Sequence, residues 1–346
     1  MTGNPEWMKL AEVDPDLDKF LKAAAASPKP GPPPGLETDY AAQRAFLHKT
    51  KKAVNARAFP TSTGLIIEDS LISARDGYQI PIRTYKPVNP PKTGSPLIVI
   101  FHGGGFTLGD LETEEGSCRN FCQQLGCTVV NVDYRLAPEN PFPTPLYDAY
   151  DSVKWAASNA SKLGANPDAG FLLGAVSAGA NLALVSATLA RDEKLSPPLT
   201  GLWLSIPIVM SMKFPPAHLV AELQSFEQCK EAPVLNAKTW KVLIDAYKPD
   251  ERSRLFNLYS ETDPVSRAGL PPVYFQVCGW DPLRDEALCF ERELREEHGT
   301  KTKLKLYPGM PHGFWSFFPQ LGKTPQWVAE TVSGIQWLLD VGKQES

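Results

Sequence analysis

"LLGAVSAGAN", residues 172–181, sets a single serine, Ser177, among small residues. The run before it, Gly170 to Val176, is apolar, and Gly179 to Glu193 after it has the periodicity of a helix. Strand, tight turn and helix in that order are the setting of a nucleophilic serine in the pattern G-x-S-x-G. Here the window reads Ala175-Val176-Ser177-Ala178-Gly179, with alanine at the first glycine position. An ordinary serine in a small-residue turn is the competing reading, and the flanking sequence must separate the two.

On either side of this window the chain alternates between strand and helix. "LIIEDSLISARDGYQIPIRTYKP", Leu65 to Pro87, reads as two antiparallel strands around a turn at Arg75 to Tyr78. Leu97 to Phe101 is a continuous apolar run that ends in glycines, as suits a strand buried on both faces. Glu114 to Gly126 predicts an amphipathic helix, Cys127 to Tyr134 a strand, Pro145 to Ser161 a helix and Leu199 to Val209 a strand. Alternation stops over 210–261, where His218 to Glu231 and Ala237 to Tyr247 read as helices. This segment is therefore expected to be an insertion, most simply a lid. Strand Pro272 to Pro282, helix Arg284 to Gly299, strand Lys303 to Gly309 and a final helix resume the pattern. The implied fold is α/β, a doubly wound and mainly parallel sheet with core segments 61–209 and 262–346. In such sheets the chemistry lies at the carboxyl ends of the strands.

The 346 residues are 42% hydrophobic, enough for one large core with an attached lid. A net charge of −4 without a basic run argues against nucleic acid as a partner. No stretch approaches a membrane span, and the acidic start predicts no secretory signal. The prolines cluster in Ser27 to Gly35 and Asn89 to Pro96, which read as connectors. Cys118 and Cys122 would share a helix face, but no further ligands follow at zinc-site spacing. The six cysteines read as buried thiols, and a cytoplasmic location is expected.

Several strand ends carry reactive or unusual residues. "HGGG", His102 to Gly105, follows a buried strand, and glycines let backbone N–H groups approach a ligand. Such donors facing a developing oxyanion are worth about 3–4 kcal/mol of barrier each. Asp281 follows the strand ending at Trp280; an N-cap role is its structural alternative. Asp285 lies a turn into the helix and is expected to support the loop. His312 sits on a loop between proline and glycine. Of the other histidines, His48 and His298 read as solvated, His218 lies in the lid and His102 in the glycine loop. The order Ser177, Asp281, His312 is that of α/β-hydrolases, not of the chymotrypsin or subtilisin types.

With these residues in place, the sequence resembles the hormone-sensitive-lipase-like branch of the α/β-hydrolase fold. The matching segments are "HGGGF" 102–106, "DYRLAPENPFP" 133–143, "SAGANLA" 177–183, "GWDPLRDEA" 279–287 and "YPGMPHGFW" 307–315. The resemblance implies a carboxylic ester hydrolase without cofactor or metal, acting on a small-molecule ester. It implies that Ser177 attacks the carbonyl, that His312 moves the proton and that Asp281 orients His312. The implied oxyanion donors are the N–H groups of Gly104, Gly105 and Ala178, with His102 and Gly103 completing the loop. "DYRLAPE" would brace that loop, and residues 1–60 would join the insertion 210–261 in a helical cap. Where the family usually has Gly-Asp before the serine, this chain has Ala175-Val176, as do fungal members, some beside natural-product pathways.

Phe106, Leu108, Val176, Trp280 and Phe314 are the expected pocket residues, suiting short-to-medium or natural-product esters. Two other functions stay in view on the same fold. One is a lyase or dehydratase acting on a natural-product intermediate. The other is a small-molecule receptor like the plant gibberellin receptors, which lose the histidine that stands here at 312.

Overall fold

The computed structural model describes residues 4–26 and 39–342, so the proline-rich stretch Ser27 to Gly35 lies outside the described residues. Among the described residues there are eight strands: β1 Leu65–Ser73, β2 Gln79–Pro87, β3 Leu97–Phe101, β4 Thr128–Val132, β5 Phe171–Val176, β6 Gly201–Ser205, β7 Val273–Trp280 and β8 Thr302–Pro311. They make one sheet in the order β1-β2-β4-β3-β5-β6-β7-β8. β2 pairs antiparallel with both β1 and β4, and every other pairing is parallel. β3, β4, β5 and β6 are buried at every position, which is why their sequences run apolar without alternating.

The helices are α1 Pro5–Lys9, α2 Pro15–Ala26, α3 Tyr40–Ala58, α4 Glu115–Leu125, α5 Thr144–Asn159, α6 Ala178–Asp192, α7 Ser225–Gln228, α8 Ala237–Tyr247, α9 Arg284–Glu296, α10 Phe314–Phe317 and α11 Lys323–Gly342. Apolar residues of α5, α6 and α9 form one core with one face of the sheet. Those of α4 and α11 form a second core on the other face. Cys118 and Cys122 are buried in that second core, and all six cysteines are free. Among the described residues no helix is long and apolar enough to cross a membrane.

The segment 210–261 is less helical than its sequence suggests. α8 forms as expected, but within His218 to Glu231 only α7 is helical. Asp285 on α9 explains the difference, because its Oδ2 accepts the N–H groups of Gln224 at 2.8 Å and Ser225 at 2.7 Å. Those donors are satisfied by a core carboxylate, which starts α7 there and cuts a longer helix short. The neighbouring Glu286 holds the entry to the segment by accepting the Val209 N–H at 2.6 Å. Burial pushes the Glu286 carboxyl up to about 8.

The N-terminal chain lies across the ends of β7 and β8. Gly309 donates its N–H to the Leu10 carbonyl at 2.8 Å, and its own carbonyl accepts the Asp14 N–H at 3.3 Å. A Cβ at Gly279 would stand 2.0 Å from the Leu10 oxygen, so the approach requires glycine. Gly279→Ala is expected to displace residues 10–14 and destabilise by about 1–3 kcal/mol, read as a lowered thermal midpoint. Glu286 binds its proton more tightly folded than unfolded, where a glutamate titrates near about 4.3. Its contribution is therefore complete below that value and is lost as pH rises through about 8. Melts from pH 5 to 9 should show a smaller loss for Glu286→Gln than for the wild type.

Candidate active site

Ser177 ends β5 and caps α6 with φ 54° and ψ −117°, a left-handed conformation strained for any side chain. Its N–H is held by the Ser205 carbonyl at the end of β6, at 2.8 Å. Ile206, the next residue after Ser205, also has positive φ, 45°, which is unusual for a β-branched side chain. Gly179 has no room for a Cβ, which would meet the carbonyl oxygens of Phe101 at 2.3 Å and His102 at 2.5 Å. The first turn of α6 is thereby pressed against the end of β3. Ala175, where glycine is usual, is fully buried in the first core, which accepts its methyl. Val176 points to the opposite face and meets Gly103, whose Cβ would lie 3.3 Å from its Cγ1.

His312 follows β8 and Asp281 follows β7. The Ser177 Oγ lies 2.8 Å from His312 Nε2, and His312 Nδ1 lies 2.7 Å from Asp281 Oδ2. The other Asp281 oxygen, Oδ1, accepts the Leu283 N–H at 3.0 Å. One carboxylate therefore holds both the loop before α9 and the imidazole. Ser177 and His312 are each 8% exposed and Asp281 1%, so this chain of hydrogen bonds is largely shielded from water.

The glycine loop has its carbonyls pinned in succession. The His102 carbonyl accepts the Tyr134 hydroxyl at 2.7 Å. His102 Nδ1 lies 2.8 Å from the Gly103 carbonyl and donates to it. The Gly104 carbonyl accepts the N–H groups of Thr107 at 3.2 Å and Leu108 at 2.9 Å. In a planar trans peptide the N–H points opposite the C=O, so the Gly104 and Gly105 N–H groups face away from these acceptors. Among the described residues neither N–H has a backbone acceptor. The N–H of Ala178, first residue of α6, has no intrahelical acceptor either. Burial lowers the His102 pKa to about 4, so the ring is neutral, as a donor at Nδ1 with a bare Nε2 requires.

The structure separates the expected residues by role. His102 is wholly buried and stacked on Tyr134 at 4.2 Å, so its side chain orients the loop. Phe106 and Phe314, read as pocket residues, are both buried in the core clusters. Phe106 stacks on Tyr247 of α8 at 3.8 Å, and Phe314 packs against Tyr307 and Trp315. Aromatic rings beside a site look alike in sequence whether they face a cavity or a helix. Leu108 and Trp280 stay partly exposed, while Val176 is 6% exposed. His48 and His298 are not merely solvated, since His48 Nδ1 lies 2.6 Å from Asp110 and His298 Nε2 3.1 Å from Glu293. Of "DYRLAPE", Tyr134 and the Ala137 N–H, which reaches the Phe106 carbonyl at 2.9 Å, hold the loop; Arg135 pairs with Asp148 and Asp76.

Two contributors, Gly109 and Ser205, went unread in the sequence, while a third, Leu243, belongs to the lid stretch Trp240 to Tyr247 that the sequence offers as pocket candidates. Gly109 packs where a Cβ would stand 2.2 Å from His102 Nδ1, and its place just beyond "GGGFTL" was the available signal. Leu243 of α8 lies over Gly105, whose Cβ would be 2.5 Å from Leu243 Cδ1. Ser205 acts through its carbonyl, which no residue pattern announces.

Residues 98–316 match the family model described as the alpha/beta hydrolase fold. An AB hydrolase superfamily protein of Schizosaccharomyces pombe is 37% identical over 97% of both chains. A versiconal hemiacetal acetate esterase of Dothistroma septosporum is 31% identical over 86% of this chain and 91% of its own. The crystal structure of vibralactone cyclase superposes with a TM-score of 0.86 at 33% identity, covering 96% of this chain and 97% of the other. These likenesses extend over the whole sheet as well as the serine turn, and on them the chain belongs to the hormone-sensitive-lipase-like group of the α/β-hydrolase family and is a carboxylesterase-type enzyme.

Proposed function

We propose that the protein hydrolyses short-to-medium or natural-product esters through an acyl-enzyme on Ser177. The observation that carries this reading is the hydrogen-bonded series Ser177 Oγ, His312 Nε2, His312 Nδ1, Asp281 Oδ2 at 2.8 and 2.7 Å. Asp281 accepts from Nδ1–H, which leaves the Nε2 lone pair for the serine proton. Ser177 attacks the ester carbonyl as His312 takes that proton. The carbonyl oxygen becomes an oxyanion that the N–H groups of Gly104, Gly105 and Ala178 stabilise. His312 then gives its proton to the departing alcohol, and a water repeats the sequence on the acyl-enzyme to release the acid. The reaction needs no cofactor or metal.

In this reading residues 1–60 and 210–261 cap a core of 61–209 and 262–346. Leu243 over Gly105 and Val176 against Gly103 support a compact apolar acyl site. The relative that acts on an acetate ester supports a small acyl group. Six buried free thiols support a reducing compartment, for which we propose the cytoplasm.

One likeness favours a second outcome for the same intermediate. The vibralactone cyclase fold covers almost all of this chain. An acyl-enzyme whose acyl chain carries a hydroxyl can close on that hydroxyl: His312 takes its proton, the lactone forms and Ser177 recovers the proton.

Turnover of p-nitrophenyl esters from acetate to laurate tests the reading. Ser177→Ala is expected to lower kcat by about 10⁴-fold or more. Asp281→Asn is expected to lower it by about 10⁴-fold with little change in KM, because the wrong histidine tautomer is favoured. A chain-length optimum at or below the middle of the series is expected. A folded wild type that turns over none of these esters, yet converts a hydroxyacyl thioester or ester to its lactone, would select ring closure over hydrolysis.

A further inference from the structure

α3 carries one side chain into the frame of the glycine loop. None of its residues is buried and none joins either apolar core, while Phe46 and Val54 stay exposed. The helix is held by polar side chains that recur at helical spacing, Arg44, His48, Lys51 and Asn55. Three of these each meet one segment. His48 Nδ1 lies 2.6 Å from Asp110, Lys51 Nζ donates to Ser316 Oγ at 2.5 Å, and Asn55 donates to the Glu112 carbonyl at 2.9 Å. Arg44 differs, because its guanidinium reaches two stretches of backbone and a carboxylate at once.

Arg44 Nε donates to the Thr107 carbonyl at 2.8 Å and Nη2 to the Ala137 carbonyl at 2.5 Å. Nη1 and Nη2 also donate to the two carboxylate oxygens of Glu139, at 3.0 and 2.8 Å. Thr107 and Ala137 are fully buried, and no other donor to either carbonyl is present among the described residues. The Glu139 side chain is 52% exposed, so the ion pair adds little stability; its effect is to fix the plane of the fork. The two backbone stretches already touch, since the Ala137 N–H reaches the Phe106 carbonyl at 2.9 Å. Phe106 itself has φ 62°, a conformation that lasts only where its surroundings impose it. The next N–H, that of Thr107, holds the Gly104 carbonyl at 3.2 Å. The opposite edge of that same peptide carries the Gly105 N–H.

We propose that Arg44 is a positioning residue for the oxyanion loop: its guanidinium fixes the Thr107 and Ala137 carbonyls, and through Thr107 it fixes the peptide that carries the Gly105 N–H. The N-terminal segment thereby supplies part of the catalytic frame as well as cover. The inference rests on the oxyanion role given to the Gly105 N–H under Proposed function. A buried carbonyl that loses its donor must turn to find another, and Thr107 would carry the turn of the loop with it. Lysine cannot substitute, because an ammonium is a point donor and does not hold a planar fork across two carbonyls and a carboxylate.

The test uses the full chain with p-nitrophenyl butyrate and a trifluoromethyl ketone, which adds to a serine to give a tetrahedral oxyanion. Arg44→Met is expected to lower kcat about tenfold with KM changed by less than about twofold, since a misaimed donor costs less than a missing one. The inhibition constant of the ketone should rise by the factor by which kcat/KM falls. The acid limb of the kcat/KM profile should keep its midpoint, because His312 and Asp281 are untouched. Arg44→Lys should still lose about fivefold in kcat, and Glu139→Gln, which leaves both carbonyl contacts, about twofold. Unchanged kcat in Arg44→Met, a loss confined to KM, a moved midpoint, ketone binding at wild-type strength or wild-type kcat in Arg44→Lys would overturn the proposal. Should Arg44→Met not fold, Arg44→Lys carries the same three readouts and decides alone. Turnover surviving in Ser177→Ala sinks the hydrolytic mechanism itself, whereas an inactive Ser177→Ala beside an unimpaired Arg44→Met sinks this inference alone.

Discussion

Gly179 lets the first turn of α6 press against the carbonyls of Phe101 and His102, and the geometry of the site follows from that contact. Any Cβ there would push the helix from the end of β3. The serine turn and the glycine loop would separate with it, since each is anchored on one side of the contact. Ser177 would keep its partners on β7 and β8 but lose its relation to the free N–H groups. A single missing methyl thus joins the serine turn to the glycine loop.

Around that contact the backbone is held in costly conformations. Ser177, Ile206 and Phe106 all have positive φ without being glycine. Such residues cost of order 1–3 kcal/mol each and persist only where packing determines them. The surrounding strands are wholly buried, and the constraint comes from them. Phe106 illustrates it: the stack on Tyr247 ties the glycine loop to α8.

Acidic side chains hold the irregular parts to this frame. Asp285 and Glu286 anchor two points of the 210–261 segment through backbone N–H groups. Asp281 uses one oxygen in the same way and the other on His312. Backbone donors in loops must find acceptors when buried, and a carboxylate supplies several at once. The acidic side chains near the site are accordingly structural in part, even where one also serves the histidine.

Periodicity and glycine placement made the parallel sheet and the order of Ser177, Asp281 and His312 legible in the sequence, because buried strands and tight turns restrict local residue choice. Ala175 shows that the restriction is steric and not literal, since a buried methyl fits where glycine is usual. Boundaries were legible to within a few residues for α8 and β5 but not for His218 to Glu231, where Asp285 from another element takes the donors of a would-be helix. The packing of Phe106 and Phe314 was not legible for a similar reason: both are apolar in any setting, and only their neighbours show that they are buried in the core. The sequence alone determined which chemistry the strand ends could carry, since that depends on residue type and order along the chain. Tertiary structure decided which N–H groups are left free, which acids hold loops and what covers Gly105. Those depend on contacts between segments far apart in sequence, and no local pattern encodes them.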